Sequence, residues 1–373
     1  MSLERDYEAK HLKNMQSGMN SLSRMLKVNA EQIAEKISVL QSKQLQDPSK
    51  YGAQLKRNKR LQSQIQANFD KLEKDLLTGI NKQTADQWAL ANKKNNILVN
   101  SYITGKVDQR YTNLNLDALK EFQKRFQGGK QLSDRVHNLT NVNKQLYNDY
   151  IGTGITQGRS SASIARDLDM INTDPYNVKV FDKEGNPIKL KKISPLLQPD
   201  AAGRGIYKSS RKNLMRLVRT ETNAAYRLSD QKRYRQLDFI VGYEVHLSAS
   251  HDFTDVCDFN KGKYPKDFQF SGWHPHCYCY VTSIKKTKKE FNKGVVNSKN
   301  AVTKIPDSAQ RYQKTVKNKN YFDWQTDNFT EKGIPLKKVG GPSKNIEPYK
   351  ISIDPRDYKP KNNILKSAAK SVL

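Results

Sequence analysis

No stretch of this 373-residue sequence approaches eighteen consecutive apolar residues, and its opening, MSLERDYEAK, lacks the apolar core of a secretory leader. Both absences argue against a membrane span, a membrane anchor and Sec-dependent export, so a reducing cytoplasm is the expected place of synthesis. Cysteine is nearly absent, with three residues in all, and in a reducing compartment thiols and metal ligands are favoured over disulfides. Acidic residues are short as well. Only 37 Asp and Glu oppose 66 Lys and Arg, a formal charge of +29. That excess creates a positive potential that attracts polyanions, nucleic acid first among them. The apolar share of 36% supports real cores, and the length suits two or three domains.

What is present begins with helix-period stripes. Leu22, Met25, Leu26, Ile33, Ile37 and Leu40 recur at steps of three and four, which places them on one helix face, and Pro48 closes the segment. Leu61, Ile65, Phe69, Leu72, Leu76 and Ile80 form a second stripe, so the two helices are expected to pair antiparallel across DPSKYG. Thr84 and Gln87 have capping-box spacing ahead of Trp88, Leu90, Ile97 and Leu98, which predicts a third helix start. Further helices are expected from Leu116 to Phe126, through Val136, Leu139, Val142, Leu146, Tyr150 and Ile151, and, after the loop GTGITQGRSS, around Ile164, Ala165 and Leu168.

The texture changes at Asn172. VKVFDKEGNPIKL has two strand-like arms around Lys183-Glu184-Gly185-Asn186, whose Gly and Asn tolerate positive φ, so a β-hairpin insertion is expected at about 176–192. A long helix should follow from Ser210 to Gln236, then a strand in FIVGYEVHL. The domains expected are a helical hairpin region at 1–105, a central module at 106–284, and an extended basic tail at 285–373, with the sharpest break near 170–205. The fold class is α+β, predominantly α-helical, with a small Cys/His-stapled β region.

All three cysteines and four of the six histidines fall between His246 and Cys279. In an extended strand Cys277 and Cys279 point to one face, while Tyr278 and Tyr280 point away. Pro275 biases His274 toward an extended backbone. Zinc takes four tetrahedral ligands from thiolates and imidazoles, and a closed protein set marks a structural site. Cys257, His274, Cys277 and Cys279 supply such a set, with His251 in reserve. Against this, no CxxC pair is present. Structural zinc, a metal-free cluster of buried thiols and a disulfide all remain open. An enzyme is the sharper alternative. Cys257 would be the nucleophile of a Cys-His hydrolase with His274 or His251 as base, or histidine with Asp252, Asp255 and Asp258 would hold the metal of a nuclease. No glycine-bearing nucleophile motif surrounds Cys257, and the aspartates of DFTDVCD suit turn capping.

Three pieces in order carry a resemblance: RLVRTETNAAYR at 216–227, SASHDFTDVCDFNKGKYP at 248–265 and WHPHCYC at 273–279. The set resembles the Mu F-like minor head proteins of tailed phages, the phage head morphogenesis family, over about residues 130–285. Arg219, Thr220 and Glu221 match its helix motif, Gly262 and Lys263 its Gly-Lys, and His274, Pro275, Cys277 and Cys279 its closing motif. Many members carry CxxC where this chain has Thr254 and Cys257, so any metal here would need a histidine.

The resemblance implies a structural, non-enzymatic component of the capsid interior near the portal, with host cytoplasm as the site of assembly. Portal protein, interior capsid proteins and DNA are the partners it implies. It also gives Arg219 and Glu221 a buried structural role. A related module precedes an enzymatic domain in some bacterial toxins, which makes a toxin carrier the other alternative. From Lys285 onward 21 basic residues face 8 acidic ones, a net of +13. Lys285, Lys286, Lys288 and Lys289 open this stretch and are the expected phosphate contacts, through sequence-independent counterion release. Tyr312, Tyr321, Phe322 and Trp324 suit anchoring on a partner protein.

Overall fold

The computed structural model describes residues 3–46, 59–127, 129–156, 159–175, 178, 207, 209–248, 251, 255–274 and 277–310. The helices are α1 (Leu3–Gln46), α2 (Lys59–Tyr102), α3 (Leu116–Lys124), α4 (Leu132–Thr156), α5 (Ser161–Thr173), α6 (Ser210–Gln236), α7 (Val256–Asn260) and α8 (Lys288–Asn292). The strands are β1 (Ile240–His246), β2 (Gly262–Tyr264) and β3 (Tyr280–Lys285). The fold is α+β and predominantly helical, as the stripes predict. The chain divides into two compact units drawn from separate segments. One comprises Ala9–Lys93 and Leu114–Ser229; the other comprises Met1–Glu8, Lys94–Asn113 and Asp230–Leu373.

In the first unit the two predicted stripes meet. Leu22, Leu26, Ile33, Ile37 and Leu40 of α1 are buried in one cluster with Leu61, Ile65, Phe69, Leu72, Leu76 and Ile80 of α2. Their direction is antiparallel, because Lys36 Nζ donates to Asn68 Oδ1 at 2.7 Å while a Cβ at Gly79 would run into Leu22. Glycine at 79 thus leaves room for the Leu22 side chain against α2. Val136, Leu146, Tyr147, Tyr150 and Ile151 of α4, Ile164 and Leu168 of α5, and Leu214 and Val218 of α6 complete this core. A smaller cluster packs Trp88 against Leu119, Phe122 and Ala225.

Three boundaries differ from expectation. Thr84 and Gln87 start no helix: α2 runs through them. Thr84 Oγ1 donates to Asn81 O at 2.8 Å, three residues back, and Gln87 Oε1 lies 2.8 Å from His11 Nδ1. Both polar side chains are satisfied without a cap, so nothing interrupts the ladder. Likewise α4 extends to Thr156, absorbing the first half of GTGITQGRSS, and Ser160 then caps α5 by accepting from Ser163 N. The α3 helix ends at Lys124 rather than Phe126. The hairpin expected at about 176–192 and the four tail aromatics lie outside the described residues.

The second unit is built on an antiparallel sheet of order β2-β1-β3. Tyr243 pairs with Tyr264 and Val245 with Val281, and all four are buried, while alternate residues of β1 are less covered. Gly242 sits at a register irregularity where a Cβ would stand 2.9 Å from Tyr264 O. Glu4 covers the β3 edge: its Oε1 accepts from Ser283 N at 2.7 Å and its Oε2 pairs with Lys285 Nζ at 2.8 Å. Occupying one outward N–H blunts this edge as a template for another strand.

The start of the basic segment corrects the expectation of an extended tail. Residues 285–310 are folded onto the sheet. Thr287 and Glu290 form a capping box on α8, Val302 N donates to Val241 O at 3.2 Å, and Ala309 is fully buried. Phe291 packs edge-on against both Tyr102 and Phe239. Among the described residues no helix is long and apolar enough to cross a membrane.

Candidate metal centre

The site lies in the second unit and is assembled by two short connections of the sheet. Between β1 and β2, α7 carries Cys257. Asp255 caps that helix by accepting from Cys257 N at 2.6 Å, and Asp258 returns the bond by accepting from Asp255 N at 2.9 Å. Two aspartates of DFTDVCD therefore do cap a turn; Asp252 is outside the described residues. Between β2 and β3, the segment before Tyr280 carries His274, Cys277 and Cys279. Cys277 N donates to His274 O at 3.2 Å, closing a turn that brings imidazole and thiol together. Gly272 makes the turn feasible, since its φ is +112° and a Cβ there would lie 3.2 Å from Cys277 Cβ. Tyr264, Phe268, Phe270 and Trp273 wall the site with rings tilted against one another.

Within this enclosure Cys257 Sγ stands 3.1 Å from His274 Nε2 and 3.7 Å from Cys277 Sγ. The ligand atoms of Cys257, His274 and Cys277 all lie within 4.8 Å of one another. Cys279 is buried beside this set and influences both other thiols, but its sulfur is not one of the three ligand atoms within 4.8 Å of one another. Cys257, Cys277 and Cys279 are 0%, 3% and 1% exposed, and none is in a disulfide. A tetrahedral zinc with bonds of about 2.3 Å sets adjacent sulfurs about 3.8 Å apart, close to the separation here. The residues present can therefore bind a metal. The Nε2–Sγ approach is tighter than the tetrahedral edge of about 3.5 Å expected from the same bond lengths, and reads as a hydrogen bond.

The electrostatics pull the three sulfurs in opposite directions. Hydrogen bonds from Cys257 and then Cys279 hold the Cys277 thiol well below its ordinary range, aided by the His274 ring. The bond to Cys277, followed by that to Cys279 and burial, pushes Cys257 up. For Cys279 the bond with Cys257 pulls down, but the bond with Cys277 and burial outweigh it, and the thiol is raised. A proton network of this kind is what a soft cation replaces when it binds.

Asp255 has a second contact, its Oδ2 lying 3.1 Å from His274 Nε2. Carboxylate and thiol thus meet the same ring nitrogen. A hydrolytic relay places the carboxylate on one nitrogen to orient the ring and the nucleophile on the other, and this arrangement does not have that form. His251, the reserve ligand, has its Nε2 2.8 Å from Asp258 Oδ2, although it also forms a three-group set with Asp255 and Cys257 within 4.8 Å. His246 stands apart on the sheet, bonded to Thr282 Oγ1 and stacked on Tyr280. Pro275 and His276 are outside the described residues.

Of the remaining motif residues, Gly262 takes φ +138° at the start of β2, a value that favours glycine, and Lys263 is exposed opposite Glu244. Arg219, Thr220 and Glu221 belong to the first unit. Arg219 and Glu221 are buried and do not pair with each other. Glu221 Oε1 accepts from Arg135 Nη1 at 2.8 Å, and its Oε2 forms an ion pair with Arg125 Nη2 at 2.9 Å. Arg219 Nη2 reaches Gln16 Oε1 at 3.5 Å, and burial pulls its guanidinium down to about 10, still charged at neutral pH. Thr220 Oγ1 donates to Arg216 O.

The expected phosphate contacts separate into two kinds. Lys285 pairs with Glu4, and Lys286 Nζ donates to Val295 O at 2.7 Å, so both ammonium groups serve the fold. Lys288 and Lys289 are exposed on α8. Two residues with a part in the site escaped the sequence reading: Gly272, whose only signal is a glycine just before Trp273 and His274, and Asp255 as a partner of His274. Comparison with family models, with curated proteins and with solved structures gives no match to the chain.

Proposed function

We propose that this chain is a non-enzymatic minor head protein of a tailed phage, placed in the capsid interior near the portal and in contact with DNA. A structural zinc held by Cys257, His274, Cys277 and Cys279 closes its β region. The observation that carries the reading is the enclosure of that cluster. Three thiols within a few per cent of full burial, brought together from two connections by turns of their own, form a staple rather than an open reaction centre. The order of motifs in the sequence supplies the phage assignment. The net charge of +29 supplies the affinity for packaged DNA.

The test begins with metal analysis of the purified chain, which is expected to give one zinc per molecule. Cys257→Ala should lose the metal and unfold at lower denaturant, by about 3 kcal/mol for loss of a ligand and a buried side chain. Neither protein should cleave DNA or peptide substrates. A Cys257→Ala chain with unchanged metal content and stability but an abolished hydrolytic activity would overturn the reading. Cross-linking in assembled particles should join the chain to the portal protein.

A further inference from the structure

The segment after the metal centre is a folded platform with an unusual charge balance. Between residues 268 and 306 Glu290 is the only carboxylate, against seven lysines. Its charge is engaged by its own turn. Oε2 accepts from Thr287 N and Thr287 Oγ1, both at 2.8 Å, and Oε1 accepts from Ser298 Oγ at 3.1 Å and Lys299 N at 3.3 Å. Hydrogen bonds from the Thr287 backbone and then its hydroxyl hold this carboxyl at about 2. Lys286 Nζ to Val295 O and Asn300 Nδ2 to Lys285 O fix the loop further. With Lys285 and Lys286 engaged, Lys288, Lys289, Lys293, Lys299 and Lys304 are exposed and form no ion pair among the described residues.

We infer that this ordered platform, α8 with the loop to Lys304, is the surface that takes the phosphate backbone of duplex DNA. The inference rests on the DNA-bound reading above and gives it a place. A rigid backbone presents its ammonium groups with less ordering cost than a flexible segment of the same charge. Each lysine that neutralises a phosphate releases counterions and steepens the salt dependence of binding by about 0.9 in logarithmic slope. Val296, 84% exposed, carries no charge and adds nothing to that slope.

The experiment compares three full-length proteins on a duplex oligonucleotide across a salt series. The platform variant carries Lys288→Gln, Lys289→Gln, Lys293→Gln and Lys299→Gln. A control carries the same charge change at Lys317→Gln, Lys319→Gln, Lys337→Gln and Lys338→Gln. Substitution of the exposed platform lysines leaves stability within about 0.5 kcal/mol, and coincident thermal unfolding of all three proteins checks that each is folded. The platform variant should lose about 3 to 4 from the salt slope and at least about tenfold in low-salt affinity, with a clearly smaller loss in the control. Equal losses in both variants, or none in the platform variant, overturn the platform while leaving DNA binding by the chain intact. If the unmodified protein fails to bind the duplex at low salt, the DNA-bound reading itself falls and the platform with it.

Discussion

Glu221 shows what a single buried charge does in this fold. It is 1% exposed and bridges Arg125 and Arg135, two guanidinium groups that are themselves about three-quarters covered. Burial lowers Arg125, and the Glu221 charge opposes that shift. Removing the carboxylate leaves two partly desolvated cations facing each other, the costly way to break a buried pair. Glu221→Gln should cost about 3 kcal/mol in urea unfolding. Asp75→Asn, which breaks the exposed Lys71–Asp75 pair, should cost under about 0.5 kcal/mol. Equal effects would mean that burial does not set the energetics of Glu221. Lys94 and Asp230 form a second buried pair, at 2.5 Å, with Asn95 Nδ2 on the other carboxylate oxygen. Burial pulls Lys94 down, but Asp230 and its neighbours outweigh it, so the ammonium stays charged.

Among the elements, α1 and α2 depend on close approach at Gly79. A larger residue there must push the Leu22 methyls aside within the core, so Gly79→Val should destabilise by about 2 kcal/mol through overpacking, read as a shift in denaturant midpoint at constant slope. The faces of these helices were legible in the sequence because burial at a period of 3.6 is a local pattern. The limits of α6 were legible for the same reason, and fall at Ser210 and Gln236 as expected. The Thr84–Gln87 cap was misleading because what satisfies Gln87 is His11, 76 positions away, and a local rule sees no such partner. The candidate site was legible in its ligands, whose spacing is itself local. Gly272 and the second contact of Asp255 were not, since both are consequences of two loops meeting. The folded start of the basic segment was hidden by its charge. Seven lysines in twenty residues resemble a solvated tail until Glu290, Phe291 and Ala309 are seen at work in the structure.

For the whole molecule, acid stability follows from two carboxylates of the sheet-bearing unit. Glu4 is lowered from its ordinary value: burial alone would raise it, but Lys285 and Lys94 prevail. Glu290 is held at about 2 by the Thr287 backbone and hydroxyl. A depressed carboxyl binds its proton more readily in the unfolded chain, so its stabilisation is complete above about pH 4.5 and is lost as pH falls toward the folded value. The melting temperature should therefore hold above pH 5 and fall between about 4.5 and 2. Glu4→Gln with Glu290→Gln should flatten that fall and lower the neutral-pH melting temperature. A steep acid transition in the double variant identical to that of the unmodified chain would rule these two groups out as its source.

The Glu4–Lys285 contact also sets a clock. Its partners are 281 residues apart, and a ribosome adding about 5 to 20 residues each second needs roughly 15 to 55 s to span that interval. Throughout synthesis the first turn of α1 waits for a strand that has not yet been made. Glu4 is therefore already waiting when β3 leaves the ribosome, and until then the open edge is that of β1, where association with another strand competes with completion of the sheet.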